Sequence, residues 1–267
     1  MTWEVTNGAL PVYYRKMGSG PALLLVHGFP ESSAMWEYVQ DELSDSYTLI
    51  MPDLPGSGKS QGRPGTGMTE MAECINGILD AENVNKAVIG GHSMGGYVAL
   101  EFASRYPGKV AGLSLIHSTP LADDEAKKAV RQRSMEIIRN GGKGSFISQM
   151  MGNLFTAGFK QNNAVEVNKH VGYGMEVSVD NLINFYQAMI DRKDHTGLLR
   201  NAFFPVQWIA GADDAIIDYK KIMELCYLPA ISFTSLYAGC GHMSMIEHPD
   251  RLQSGLTKFS DYCNKYP

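Results

Sequence analysis

The sequence contains little cysteine and no spacing typical of a metal site. Four of its 267 residues are cysteines, which stand far apart without a Cys-x-x-Cys pair: Cys74, Cys226, Cys240 and Cys263. No His-x-His or His-Glu-x-x-His pattern occurs either. Disulfide frameworks and zinc sites need characteristic spacings of these residues. The sequence therefore predicts free thiols in a reducing compartment, with no metal and no cofactor.

The sequence also lacks a membrane span and a secretory signal. Its longest candidate apolar run, Ala22–Val26, is the length of a strand, whereas a membrane-spanning helix needs roughly 18 apolar residues. Residues 1–5 have neither the basic stretch nor the apolar core of a signal peptide. We therefore expect a cytoplasmic protein without membrane contact. A secreted form whose signal had been removed would have the same sequence.

Charge of one sign is not in large excess. The chain has 23 basic and 28 acidic residues, for a net charge of -5, which gives no electrostatic reason to expect a nucleic-acid partner. Hydrophobic residues make up 44% and charged residues 19%, as in ordinary folded enzymes. A chain of 267 residues suits one large domain or one domain with an insertion. The oligomeric state is left open.

Apolar runs alternate with helical patterns along the chain. Six runs resemble strands buried on both faces: residues 22–26, 47–51, 87–90, 113–116, 206–210 and 231–237. Four segments have the apolar periodicity of helices: residues 35–43, 68–81, 94–106 and 249–262. Asn7-Gly8 predicts a hairpin over residues 5–16. This alternation predicts an α/β fold, with a mostly parallel central sheet and helices on both faces.

The alternation stops over one long segment, residues 119–200. This segment has no strand-like run, and its helix-like pieces are separated by glycines at positions 141–142, 152 and 172. Because it lies between two predicted sheet strands, we expect an inserted helical cap over residues 119–200. The core would then comprise residues 1–118 and 201–267.

One pentapeptide has the pattern of a nucleophile elbow, G-x-S-x-G. It is Gly91-His-Ser93-Met-Gly95, and it follows the apolar run at residues 87–90 and precedes a helical pattern. The elbow is a tight strand-to-helix turn that presents the serine side chain. An ordinary glycine-rich turn can have the same letters, but the strand before and the helix after are the context that the motif requires. The pattern therefore indicates Ser93 as a nucleophile.

A serine hydroxyl needs a base to take its proton and an acid to orient that base. Two later segments can supply these groups. Asp214 follows the predicted strand at residues 206–210, and His242 follows the one at residues 231–237. The chain order Ser, Asp, His is one that serine hydrolases use. We predict Ser93 as nucleophile, His242 as base and Asp214 as the orienting acid.

These motifs make the chain resemble the α/β-hydrolase superfamily, in the branch with an HG motif and a helical cap. The resemblance covers nearly the whole length, through His27-Gly-Phe-Pro30, Asp53-Leu-Pro-Gly-Ser-Gly58, Gly91-His-Ser-Met-Gly95, Gly211-Ala-Asp-Asp214 and Gly241-His242. It implies that the backbone N–H groups of Phe29 and Met94 form an oxyanion hole. The family pattern G-x-x-D selects Asp214 rather than Asp213. The cap matches no subfamily pattern.

The other histidines need separate hypotheses. His27 and His92 occupy family motif positions, which predicts that they organise the site rather than react. His117 ends the strand at residues 113–116 and either lines the pocket or makes a buried hydrogen bond. These three, with Met243 beside His242, are our candidate substrate-binding residues. The remaining histidines are predicted at the surface: His170, His195 and His248.

The predicted reaction is acyl transfer to water through an acyl-enzyme on Ser93, with small carboxylic esters as leading substrates. The cap is rich in methionine and aromatic residues, which favours an apolar, uncharged small-molecule substrate, although most of them are predicted in the cap core: Met150, Met151, Phe155, Met175 and Phe185. The same triad would also serve a thioesterase, amidase, perhydrolase or C–C bond hydrolase. A small-molecule receptor or a non-catalytic scaffold on this fold are the non-enzyme alternatives.

Two alternative functions, epoxide hydrolysis and nucleotide binding, fit the sequence less well. Epoxide hydrolases resemble the chain around His27, but they carry a carboxylate at the elbow, where this chain has Ser93. Gly58-Lys59-Ser60 resembles the end of a phosphate-binding loop, but that motif needs a glycine at the position of Asp53. The sequence therefore favours ester hydrolysis over epoxide hydrolysis and over nucleotide binding.

Overall fold

A computed structural model describes residues 2–5 and 11–266 and contains an eight-stranded sheet in the order β1-β2-β4-β3-β5-β6-β7-β8. The strands are β1 Thr2–Val5, β2 Tyr13–Met17, β3 Ala22–Val26, β4 Thr48–Pro52, β5 Ala87–His92, β6 Val110–Ile116, β7 Val206–Gly211 and β8 Ser232–Tyr237. β2 pairs antiparallel with β1 and with β4, and all other neighbours are parallel. This confirms the mostly parallel sheet. The predicted hairpin turn at Asn7-Gly8 lies outside the described residues.

Twelve α-helices occur in the described chain: α1 Gln40–Ser44, α2 Met68–Ala81, α3 Met94–Arg105, α4 Glu125–Ile137, α5 Lys143–Gly152, α6 Ala157–Asn162, α7 Ala164–Glu176, α8 Val179–Asp191, α9 Thr196–Arg200, α10 Tyr219–Met223, α11 Ser244–Glu247 and α12 Pro249–Lys265. None of these helices has both the length and the apolar character needed to cross a bilayer. The predicted helix at residues 35–43 is wrong as a single element. It is divided into a 3₁₀ turn, Ser33–Trp36, and α1, because Val39 leaves helical geometry at φ -126° and ψ -11°.

The central strands are buried on both faces, as their continuous apolar runs predict. Leu23, Leu24 and Leu25 of β3 have no exposed surface. β8 differs, because it ends the sheet with β7 as its single neighbour, and its first five residues alternate between exposed and partly buried. Leu236, for example, is 41% exposed. The prediction of a fully buried strand is therefore wrong for β8, since an apolar run alone does not separate an edge strand from a central one.

Residues 119–200, called the insert below, lie between β6 and β7 and contain helices α4 to α9. Gly141 has a φ of 86°, which ends the helical path between α4 and α5, and α5 ends at Gly152. Both breaks agree with the glycine pattern. Gly172 instead lies inside α7, where a Cβ atom would meet nothing within 4 Å. An open helix surface tolerates glycine there, so this predicted break is wrong.

A buried carboxylate joins the two ends of the insert. Asp123, just before α4, lies with its Oδ2 2.5 Å from Arg131 Nε and its Oδ1 3.0 Å from Arg192 Nη1. Arg192, just after α8, also donates to the carbonyl oxygen of Leu121. The Asp123 side chain has no exposed surface. Its charge is therefore balanced by the two guanidinium groups rather than by water.

Two histidines predicted at the surface are buried. His170 on α7 has no exposed surface, and its Nδ1 lies 2.8 Å from Oε1 of the buried Glu31 in the core. His195 is 8% exposed and lies 3.2 Å from Glu101 on α3. Both residues pair with a carboxylate across the boundary between insert and core, a contact that no local pattern reveals. His248 is half-buried.

We expect Asp123→Ala to lower the free energy of unfolding by about 3–5 kcal/mol, because it leaves two guanidinium groups in poorly hydrated positions without a counter-charge. Asp124→Ala is the matched control. Asp124 is exposed and accepts the Lys127 N–H at the start of α4, so its removal should cost about 1 kcal/mol. Urea denaturation of the wild type and the two variants measures both losses in the free energy of unfolding. Equal losses would contradict the importance of the buried carboxylate.

Candidate active site

Ser93 occupies a strained turn between β5 and α3. Its backbone has a φ of 50° and a ψ of -115°, a region that residues other than glycine rarely adopt. Two hydrogen bonds hold Ser93 in this conformation. The Ser93 N–H donates to the carbonyl oxygen of Ile116 at 2.9 Å, and the Ser93 carbonyl oxygen accepts from the Ser118 hydroxyl at 2.8 Å. The elbow is therefore fixed by the end of β6, and the half-buried Ser93 side chain faces a cavity.

The glycines of the elbow allow close packing. A Cβ atom on Gly95 would lie 2.3 Å from the carbonyl oxygen of Val26 and 2.5 Å from that of His27. A Cβ atom on Gly91 would lie 2.4 Å from the Gly95 carbonyl oxygen. No side chain fits at either position. The N-terminus of α3 can therefore pack directly against the chain that leaves β3.

The two amides that the family resemblance assigns to an oxyanion hole lie in this contact region. In the described part of the chain, neither the Phe29 N–H nor the Met94 N–H donates to an acceptor. Met94 is the first residue of α3, so its amide lies at the positive end of the helix dipole. Phe29 lines the cavity that Ser93 faces, and Met94 is fully buried.

His242 and Asp214 meet at the carboxyl ends of β8 and β7. His242 Nδ1 lies 2.7 Å from Asp214 Oδ2, while Asp214 Oδ1 accepts the N–H groups of Ile216 and Ile217 at 2.8 and 3.0 Å. Burial alone would raise the pKa of Asp214, but His242 and the hydrogen bonds from His242 and His117 hold it well below its usual range. The neighbouring Asp213 is exposed. The structure thus brings Asp214 and not Asp213 to His242.

Ser93 and His242 line the same cavity. No hydrogen bond joins the Ser93 hydroxyl to His242 within the described residues. Such bonds are often long before substrate binds and shorten in the reacting complex. Because Nδ1 of His242 is engaged by Asp214, the ring has Nε2 free to serve a group in the cavity.

The candidate substrate-binding residues His27, His92, His117 and Met243 are all at most 2% exposed, and none of them lines the cavity. This differs from the predicted substrate contact, because these side chains are buried, and the three histidines bond to backbone or carboxylate groups instead. His27 Nδ1 donates to the Gly28 carbonyl oxygen at 2.8 Å, and its Nε2 accepts the Leu54 N–H at 2.9 Å. Burial lowers the pKa of His27, which keeps the ring neutral.

His92 and His117 lie directly behind His242. His92 Nε2 donates to the backbone carbonyl oxygen of His242 at 2.9 Å, and burial holds the pKa of His92 well below its usual value. His117 Nδ1 lies 3.0 Å from Asp214 Oδ2. Of the two alternatives for His117, the structure therefore has the buried hydrogen bond and not the pocket lining.

Two contacts of the site have no signal in the sequence. Glu247 accepts from the N–H and the hydroxyl of Thr156 at 2.8 Å each, and from the Gly241 N–H at 2.6 Å. The carbonyl oxygen of Leu154 accepts the His242 N–H at 2.7 Å. The insert therefore bonds directly to the loop that carries His242. Thr156 and Glu247 are 91 positions apart, so no local motif links them.

The cavity has a volume of about 400 Å³, within the range of small-molecule sites. Most of its wall is apolar, and it also contains three charged side chains. Its lining residues are Phe29, Ser93, Tyr97, Asp124, Ala126, Lys127, Val130, Arg131, Ser134, Met150, Leu154, Tyr186, Met189, Ile216, Ile217 and His242. Met150 therefore reaches the cavity. Met151, Phe155 and Phe185 are buried core residues, and Met175 packs against that core.

His117, Asp214 and His242 also place three possible metal-ligand atoms within 4.8 Å of one another. Both imidazole Nδ1 atoms lie at hydrogen-bond distance from one carboxylate oxygen. A proton on each Nδ1 satisfies this geometry, and a metal ion would have to displace both protons. The absence of a metal remains a prediction from the sequence.

A family model for the α/β hydrolase fold matches residues 21–249, and the chain therefore belongs to the α/β hydrolase family. An esterase from Thermogutta terrifontis is similar in structure, with a TM-score of 0.93, 28% identity, and coverage of 98% of this chain and 99% of that chain. The pimeloyl-[acyl-carrier protein] methyl ester esterase of Nitrosospira multiformis is 25% identical over 95% of this chain and 99% of that protein. An uncharacterized Mycobacterium tuberculosis protein is 36% identical over 112 residues, which span 42% of this chain and 33% of that protein.

Proposed function

We propose that this protein is a serine hydrolase that cleaves small carboxylic esters. The observation that carries the proposal is the meeting of Ser93 and His242 at one cavity, with His242 bonded through Nδ1 to Asp214 at 2.7 Å. This arrangement leaves Nε2 of His242 to take the serine proton. The Thermogutta terrifontis structure and the Nitrosospira multiformis protein each match nearly the whole chain and are named as esterases, which supports an ester as the substrate class.

The proposed reaction has two steps. Ser93 Oγ attacks the ester carbonyl carbon while His242 Nε2 takes its proton, and the negative oxygen that forms is bound by the N–H groups of Phe29 and Met94. The C–O bond to the alcohol then breaks, and His242 returns the proton to the leaving alkoxide. Water, deprotonated by His242, attacks the acyl-enzyme, releases the carboxylic acid and restores Ser93. Asp214 holds the histidine tautomer throughout.

We also propose that the insert is a cap on a core of residues 1–118 and 201–267. It contributes Met150, Leu154, Tyr186 and Met189 to the wall of the cavity that Ser93 also lines. A wall in this position excludes water, and oxyanion donors stabilise charge more strongly where the dielectric is low. The bond from the His242 N–H to Leu154 supports this role, because it ties the cap to the base.

The acyl group that fits this cavity is small and uncharged. The wall offers two methionines and several aliphatic or aromatic side chains. Its charged groups are already engaged or lie at the exposed rim: Arg131 pairs with Asp123, Asp124 bonds to the start of α4, and Lys127 is exposed. An uncharged apolar acyl chain would therefore contact apolar side chains over most of the cavity wall.

The nucleophile is tested by Ser93→Ala. We expect this variant to lose fluorophosphonate labelling and hydrolysis of p-nitrophenyl acetate, because Ser93 is the hydroxyl that the strained turn holds at the cavity lined by His242. Its melting temperature should be unchanged. Ser134→Ala is the control, since Ser134 lines the same cavity but contacts neither His242 nor Asp214. Unchanged hydrolysis by Ser93→Ala would refute the mechanism. A wild-type turnover of roughly 1–10³ per second on a short ester would separate the enzyme from a receptor.

The two adjacent aspartates should differ sharply in importance. We expect Asp214→Asn to reduce kcat by about 10³- to 10⁴-fold, because an amide there favours the wrong histidine tautomer. Asp213→Asn should change kcat by less than about threefold, because the Asp213 side chain is exposed. Steady-state kinetics on one ester measures both. A larger effect at Asp213 would show that the acid has been misassigned.

Chain-length preference should respond to the methionines that face the cavity. We expect Met150→Ala and Met189→Ala to shift the optimum of a p-nitrophenyl ester series toward longer acyl chains, since each enlarges the pocket. Met151→Ala and Phe185→Ala are controls, because these buried side chains do not line the cavity and should lower only stability. If the wild type preferred mono-p-nitrophenyl succinate to the butyrate ester, the proposal that the cavity takes an uncharged acyl group would be wrong.

A further inference from the structure

The carboxylate of Asp214 has two histidine donors rather than one. His117, which follows β6, has its Nδ1 3.0 Å from Asp214 Oδ2, the same oxygen that lies 2.7 Å from His242 Nδ1. Asp214 Oδ1 accepts the N–H groups of Ile216 and Ile217. A carboxylate has about four acceptor positions. All four acceptor positions of Asp214 are therefore occupied. One of them is occupied by His117, which has no role in the proposed reaction.

His117 is a neutral donor. Its side chain is fully buried, and burial lowers its pKa although Asp214 opposes that effect. The titratable groups around it are Asp214, the His242 ring at 5.5 Å and the His92 ring at 6.0 Å between centroids, and the Glu247 carboxylate also acts on it electrostatically. Because Asp214 only accepts, the single proton of neutral His117 lies on Nδ1. Its Nε2 is buried and has no hydrogen-bond partner in the described part of the chain.

The backbone at His117 is held in a conformation that needs support. Its φ is 48°, and of the described residues only Asn83 and Ser93 share a positive φ without being glycine. The His117 N–H donates to the carbonyl oxygen of Ile209 on β7 at 2.8 Å. Strain of this kind persists where the surroundings fix it, and it is concentrated at functional sites. Here it turns the imidazole toward Asp214.

We infer that His117 is a positioning residue that shares Asp214 with His242, fixes the orientation of the carboxylate and moderates the basicity of His242. The inference rests on the proposed function, because it takes His242 as the base. A carboxylate whose charge is shared among four donors attracts a protonated His242 less strongly than one with three. Without His117, protonated His242 would be favoured and the neutral base would be present only at higher pH.

The pH dependence of kcat/KM tests this inference. The rate should rise with pH through one ionisation and then level off, because the base must be neutral to accept a proton. We expect His117→Leu and His117→Gly to move the midpoint up by about one pH unit, as for loss of one hydrogen bond to a charged group. Below the midpoint, kcat/KM should fall about tenfold. The glycine variant removes the donor without backbone strain at positive φ.

His117→Asn is the matched control. Its amide N–H can replace the Nδ1 donor, and asparagine tolerates the left-handed backbone. The midpoint should stay within about 0.3 pH unit of wild type, a small fraction of the shift expected for a lost bond to a charged group. A purely structural role would lower the melting temperature without moving the midpoint in any variant. An unmoved midpoint in folded His117→Leu or His117→Gly, or an equal shift in His117→Asn, would overturn the inference.

A second readout does not depend on ester turnover. In ¹⁵N-histidine-labelled protein, NMR should resolve two Nδ1–H protons bonded to Asp214 in wild type and one in His117→Asn. The titration midpoint of the His242 ring should rise in His117→Gly. If this midpoint rises in His117→Gly but the protein hydrolyses no ester, the proposed function is wrong, whereas the inference that His117 and His242 share the Asp214 carboxylate is supported. Stoichiometric metal in the purified protein would overturn the inference, because both Nδ1 atoms would then be ligands instead of donors.

Discussion

The left-handed backbone at Ser93 is the constraint on which the rest of the site depends. A serine in that conformation is strained, and it is kept there by the carbonyl oxygen of Ile116 and the hydroxyl of Ser118. The turn also requires that Gly91 and Gly95 have no side chain, because backbone oxygens lie within 2.5 Å of where a Cβ would stand. Any loosening of β6 against β5 would therefore release the elbow and separate Ser93 from the amides around it.

Parallel pairing of the strands explains how distant residues reach one place. β5, β6, β7 and β8 are neighbours in that order, and their carboxyl ends lie at the same edge of the sheet. Each of the four ends contributes one side chain to the site: Ser93, His117, Asp214 and His242. Open parallel sheets bind ligands at this edge because loops there are free to vary while the strands stay fixed. At this edge hydrogen bonds join His117, Asp214 and His242, and Ser93 lines the same cavity as His242.

The insert is attached by polar groups as well as by apolar packing. Asp123 joins its two ends through Arg131 and Arg192, and Glu247 joins it to the loop of His242. A buried charge such as that of Asp123 needs a charged partner, so its contact with Arg131 and Arg192 has a defined geometry. The insert also contributes apolar side chains to the wall of the cavity that His242 lines. This coupling links the shape of the pocket to the position of His242.

The sequence by itself determined the alternation of strands and helices and the position of the insert, and it predicted Ser93, Asp214 and His242 as the residues of the proposed triad. These depend on apolar periodicity and on motifs of a few consecutive residues, which local physics is enough to interpret. Helices α2 and α3 and strand β3 accordingly lie within one residue of their predicted bounds.

Only the tertiary structure decided which side chains face one another. His170 pairs with Glu31 across 139 positions, His117 shares Asp214 across 97, and Met150 rather than Met151 reaches the cavity. Periodicity shows that a face is buried but not what it is buried against. A histidine predicted at the surface can therefore be a buried partner, and an apolar run can end as the exposed edge strand β8. Such contacts depend on the packing of the whole chain, because they join residues that share no local pattern.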